Sequence, residues 1–132
     1  TDKNQSKLFV IPSIFTQIKN NKNPIFFDFN SKRDFIHIDD ICNAINFLMF
    51  KKAQGIYNIG SGQATLVNNI VKKVAVKFGY HCDFDDLSKD ELDQEAPNFW
   101  ANIDKIKNKI DFKPIKIEEG LKQTIQEILK NR

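Results

Sequence analysis

Arg33 and Arg132 are the only arginines in this chain of 132 residues, which otherwise draws its positive charge from lysine. A planar guanidinium grips phosphate through two parallel hydrogen bonds, a fork that the point charge of lysine does not reproduce. Arg33 stands in Lys32-Arg33-Asp34-Phe35-Ile36-His37-Ile38-Asp39-Asp40, where Lys32 can add charge beside it. The competing reading of Arg33 is an ion pair with Asp34 or another nearby carboxylate, and exposed pairs of that kind contribute little. A second stretch, Gly60-Ser61-Gly62-Gln63-Ala64-Thr65, reads as following a strand and opening a helix. Asp83 and Asp85 lie about twenty positions on, the layout of a dinucleotide-binding turn. Thr65 replaces the third glycine, which would allow close helix–strand packing, and only one strand–helix–strand unit follows, so a structural turn is the better reading. His37 and His81 have no carboxylate or cysteine cluster at ligand spacing, and no metal site is expected. Asp83, Asp85, Asp86 and Glu91 read as a solvated acidic loop rather than a general acid/base pair.

The elements that must position these residues form an α/β pattern of short strands interleaved with helices. Ile11, Ile14, Phe15 and Ile18 recur at helical spacing, with Pro12 tolerable in the first turn. Ile25-Phe26-Phe27 reads as a strand. Phe35 to Ile38 reads as another, running into a helix over 39–51 with Ile41, Ala44, Ile45 and Leu48 on one face and Asp39 or Asp40 as the N-cap. On that strand His37 would share a face with Phe35. Ile56 to Ile59 reads as a buried strand, and Thr65 to Phe78 as an amphipathic helix with Thr65 as N-cap, Leu66, Ile70, Val74 and Phe78 inward, and Gly79 as its stop. A strand near Cys82 to Phe84 and an acidic loop over Asp85 to Glu95 follow. Helices around Ile103–Ile110 and Glu118–Lys130 close the chain, broken apart at Pro114, with Trp100 expected to pack against them.

These residues carry a family resemblance. Arg33-Asp34-Phe35-Ile36-His37-Ile38-Asp39-Asp40 resembles the R-D-F-[VI]-[HY]-x-x-D element of the extended short-chain dehydrogenase/reductases, the NAD(P)-dependent epimerases, dehydratases and reductases of nucleotide-diphosphate sugars. Gly55-Ile56-Tyr57-Asn58-Ile59-Gly60-Ser61-Gly62 follows in the family's order. Trp100-Ala101-Asn102-Ile103-Asp104-Lys105-Ile106, leading to Phe112-Lys113-Pro114, is similar to the A-D-x-S/T-K … G-W-x-P ending, although Asn102 and Asp104 depart from it. Glu118-Glu119-Gly120-Leu121 stands at the place of the family's E-E-G-L helix.

The resemblance implies that residues 1–132 are a single C-terminal, substrate-binding lobe of a longer enzyme, its N-terminal Rossmann domain missing. It implies that Arg33 reaches the diphosphate of a nucleotide sugar and that the Ile25-Phe26-Phe27 segment meets the base, which makes Arg33, Lys32, Phe26 and Phe27 the candidate substrate residues. NAD or NADP would be bound by the missing domain of the same chain, and the family's equivalent of the Gly60-Ser61-Gly62 turn is structural. Family catalysis uses Tyr-x-x-x-Lys, in which lysine lowers the tyrosine's pKa for proton exchange. Ser61 and Phe84 stand four residues after Tyr57 and Tyr80, so no catalytic or cofactor residue is expected here and the lobe alone should be inactive. Where relatives carry a second diphosphate arginine, the run Glu91-Leu92-Asp93-Gln94-Glu95 has none.

Bulk composition limits the alternatives. A hydrophobic fraction of 41%, a charged fraction of 28% and twelve phenylalanines fit a globular domain with a modest core. The net charge of +3 is small and the lysines scattered, which argues against nucleic acid. Apolar runs such as Phe47 to Phe50 are too short for a bilayer, no signal-peptide pattern opens the chain, and Cys42 and Cys82 suggest no disulfide framework, so a cytoplasmic protein is expected. Two rivals stay open. One is a non-catalytic binding or interaction module that seals a hydrophobic face by self-association as a homo-oligomer. The other is a small stand-alone nucleotide-binding protein using Gly60-Ser61-Gly62.

Overall fold

The computed structural model describes residues 9–20, 30–79 and 98–130. The elements run α1 (Val10–Lys19), β1 (Lys32–Arg33), α2 (Ile38–Phe50), β2 (Thr65–Leu66), α3 (Val67–Lys77), α4 (Asp104–Ile110) and α5 (Ile117–Lys130). Among the described residues this is a small α/β unit of five helices and one two-stranded sheet. The expected strands at Ile25–Phe27 and near Cys82, together with Phe26, Phe27, His81 and the acidic run Asp85–Glu95, lie outside the described residues.

Helical periodicity builds the first of two cores. Ile11 and Ile14 of α1 meet Val67, Ile70, Val71, Val74 and Ala75 of α3, and Leu121 of α5 closes the cluster. Each fully buried side chain of this size contributes roughly 1.5–3 kcal/mol. Phe15 and Phe78 add an edge-to-face pair with centroids 4.7 Å apart. The second core joins Ala44 of α2 to Ile103, Ile106 and Phe112 around α4, with Tyr57 and Ile59 packed against it.

The segment after Arg33 serves both cores. Phe35 packs on the first cluster and its neighbour Ile36 on the second, the two-sided placement of extended backbone. The segment is not the strand expected at Phe35–Ile38. The ladder lies just upstream, where Lys32 and Arg33 pair antiparallel with Leu66 and Thr65. Ladder pairing ends there because Asp34 turns toward the glycine turn and the helix starts early. His37, expected as a strand residue, is the buried N-cap of α2, its Nδ1 accepting the N–H of Asp39 at 3.3 Å. Asp40, one of the two expected caps, instead accepts the N–H of Ile115 at 3.1 Å, which ties the turn at Pro114 to α2.

Two further expectations change for similar reasons. Thr65 does not cap α3, because it pairs in β2 and the helix begins after Leu66, with Val67 N–H on the carbonyl of Ser31 at 3.0 Å. Ile56–Ile59 forms no ladder among the described residues: Tyr57 and Ile59 face the second core while Ile56 is 85% exposed.

Candidate functional site

Arg33 sits on a strand held from both sides. On one side β1 pairs with β2. On the other, Lys32 N–H donates to Asn98 Oδ1 at 2.8 Å and its carbonyl accepts from Phe99 N–H at 3.4 Å. The carbonyl of Lys32 also accepts from Arg33 Nη1 at 3.0 Å. The guanidinium carbon then lies 4.8 Å from the centroid of the Phe99 ring, within cation–π range. Arg33 is half-buried and Lys32 exposed, and Phe99 and Trp100 leave 60% and 53% of their surface accessible. The site is therefore an open ledge on which a guanidinium lies against an aromatic ring. Trp100, expected to pack against the closing helices, keeps about half of its surface exposed.

Asp34 explains why the ledge has this shape. Its Oδ1 accepts from Ser61 N–H at 2.7 Å and from the Ser61 hydroxyl at 2.5 Å. Its Oδ2 accepts from Gly62 N–H at 3.1 Å and from Ala101 N–H at 3.0 Å. One carboxylate thus joins the turn at 60–62 to the residue next to Trp100. Gly60 makes that closeness possible, since a Cβ there would stand 2.6 Å from both Asp34 Oδ2 and the Ala101 methyl. Gly62 has φ +71°, a left-handed conformation that side chains rarely adopt. Two N–H donors that a phosphate-binding turn would aim at its ligand are thereby directed at a carboxylate of the protein itself.

The remaining candidates separate from the ledge. Tyr57, which lacks a lysine in register, does meet Lys105 in space, its Nζ 4.6 Å from the ring centroid. That ammonium lies over the ring face and donates to the carbonyl of Ile56 at 2.8 Å, a packing role. Asn102, where the family motif has aspartate, accepts the N–H of Asp104 at 2.9 Å and so still serves the start of α4. A cleft of about 240 Å³ opens between Ser61, Gln63 and Thr65 on one wall and Lys113 to Ile117 on the other, and neither Lys32 nor Arg33 lines it. Among the described residues no group of three or more His, Cys, Asp or Glu could hold a metal, and no helix is long and apolar enough to cross a membrane. Phe99 was missed in the sequence. Its only signal there was a second aromatic beside Trp100, with nothing local to link it to a residue sixty-six positions earlier.

Comparison with known proteins gives the family of the chain. The family model GDP-mannose 4,6 dehydratase matches residues 3–124. A dTDP-L-rhamnose 4-epimerase from Burkholderia thailandensis is 33% identical over 73 residues, 52% of this chain and 20% of that protein. The structure of a dTDP-glucose 4,6-dehydratase from Bacillus anthracis in complex with NAD superposes with a TM-score of 0.81 at 27% identity, over 99% of this chain and 42% of that one. A UDP-glucose 4-epimerase from Thermotoga maritima, solved with UDP-glucose, gives a TM-score of 0.75 at 26% identity over 93% and 40%. The chain spans less than half the length of each of these relatives. With nearly its whole length inside the family match, the chain belongs to the extended short-chain dehydrogenase/reductases, the NAD-dependent nucleotide-sugar dehydratases and epimerases.

Proposed function

We propose that residues 1–132 form the C-terminal, substrate-binding lobe of an NAD(P)-dependent enzyme that epimerises, dehydrates or reduces a nucleotide-diphosphate sugar. Arg33 engages the diphosphate, Lys32 adds charge beside it, and Phe26 and Phe27 meet the base. The observation that carries this reading is the Arg33 ledge, where a forked donor is held half-exposed on an aromatic ring. A relative solved with UDP-glucose supports the substrate class.

The cofactor belongs to another part of the polypeptide. NAD(P) supplies the hydride chemistry when bound, and a pyrophosphate needs free N–H donors at a glycine turn. The turn at 60–62 does not fit that need, because its Ser61 and Gly62 N–H groups already donate to Asp34. The same contacts count against a stand-alone nucleotide-binding protein built on Gly60-Ser61-Gly62. Exposed apolar side chains support the reading as one lobe: Ile38, Ile45 and Met49 follow one edge of α2, and Phe50 and Ile56 add to them. Without the cofactor-bearing part the lobe is catalytically inactive.

Calorimetric titration with UDP-glucose tests this. Loss of charge-assisted hydrogen bonds in Arg33→Ala should weaken binding about ten- to hundredfold. Equal affinity of the variant and the parent would overturn the assignment, and loss of binding in Gly62→Val with none in Arg33→Ala would favour the glycine turn.

A further inference from the structure

We infer that Phe99 is the positioning residue for Arg33: its ring holds the guanidinium plane so that the fork is already set when a diphosphate arrives. The inference rests on the reading of Arg33 as the diphosphate ligand. Three observations carry it. The ring centroid lies 4.8 Å from the guanidinium carbon, yet Phe99 is 60% exposed, so the ring is not there to fill a core. The chain on either side of the ring is anchored to the arginine's neighbours: Asn98 Oδ1 accepts from Lys32 N–H, Phe99 N–H donates to the carbonyl of Lys32, and Ala101 N–H donates to the carboxylate of Asp34. Finally, the Arg33 Nη1 bond to the carbonyl of Lys32 fixes one edge of the guanidinium beside the ring.

An arginine side chain otherwise has many rotamers, and ordering it on binding reduces affinity. Stacking on an aromatic face removes part of that cost before the ligand binds. The role asks for a flat ring at position 99 rather than for bulk or apolarity. Tyrosine should therefore replace phenylalanine and leucine should not.

In the ¹⁵N-correlated NMR spectrum of the whole polypeptide, the side-chain Nε–H signal of Arg33 is identified as the one that disappears in Arg33→Ala. The Arg33 signal should move in Phe99→Leu, which removes the ring current, and return close to its parent position in Phe99→Tyr. Titration with UDP should show affinity reduced about two- to fivefold in Phe99→Leu and near parent in Phe99→Tyr. In the Arg33→Ala background, Phe99→Leu should cost nothing further. Full parent affinity in Phe99→Leu, beside weakened binding in Arg33→Ala, overturns the positioning role and leaves Arg33 as ligand. The same loss from Phe99→Leu with or without Arg33 also overturns it, because the ring would then act on the ligand by itself. Parent-like binding in Arg33→Ala overturns the assignment of Arg33, while the Arg33 signal still reports the stack.

Discussion

Asp34 has two carboxylate oxygens and four donors converging on them, three of which are backbone N–H groups from segments far away in sequence. Replacing it with alanine leaves those amides without their acceptor, and each buried donor left unmade costs about 1–3 kcal/mol. Partial exposure of the turn lowers the sum, so Asp34→Ala should destabilise the protein by about 3 kcal/mol, read as a shifted urea midpoint. An unchanged midpoint would mean that water replaces the carboxylate. Arg33 was legible in the sequence because its residue type is scarce and its chemistry distinctive. Asp34 was not: as a neighbour of Arg33 it suggested a local ion pair, whereas the donors that converge on its carboxylate lie 27 to 67 positions away. Phe99 was hidden for the same reason.

At the scale of elements, the helices were readable and, among the described residues, the strands were not. Apolar spacing located α1, α2, α3, α4 and α5 to within about three residues, since helical hydrogen bonds are local and the buried face repeats along the chain. A ladder needs a partner, and the pairing of 32–33 with 65–66 leaves no periodicity in two-residue strands. Ile56–Ile59 looked like a buried strand because it is mostly apolar, yet only alternate residues reach the core. The tie between α3 and α5 gives a prediction in pH. Lys73 hydrogen-bonds Glu118, and that bond, followed by backbone N–H at the start of α5, holds the Glu118 carboxyl below its ordinary range. A depressed carboxylate stabilises the fold above its unfolded pKa and loses that contribution as pH falls through the folded one. Both side chains are largely exposed, so the pair contributes only a few tenths of a kcal/mol, about the range of surface ion pairs. Glu118→Gln should therefore be slightly less stable than the parent at neutral pH, with the difference vanishing in acid. A difference that persists at low pH would assign the effect to something other than charge.

At the scale of the molecule, two small cores among the described residues share the short extended link at Phe35 and Ile36, and the apolar edge of α2 with Ile56 faces outward. A domain of this size buries a limited share of its surface, and an exposed apolar edge is better explained by a neighbour than by solvent. The account holds that this neighbour is the cofactor-bearing part of the same polypeptide. The sequence motifs had carried that idea as far as the family, and the family match over residues 3–124 bears out membership. The measurement that tests the central claim most directly is the intact mass of the polypeptide as its source cell makes it. A mass more than twice 15.3 kDa is predicted, in line with relatives of which this chain covers 42% or less. A mature polypeptide of 15.3 kDa would contradict the account and leave the proposed diphosphate site at Arg33 without a cofactor domain in its own chain.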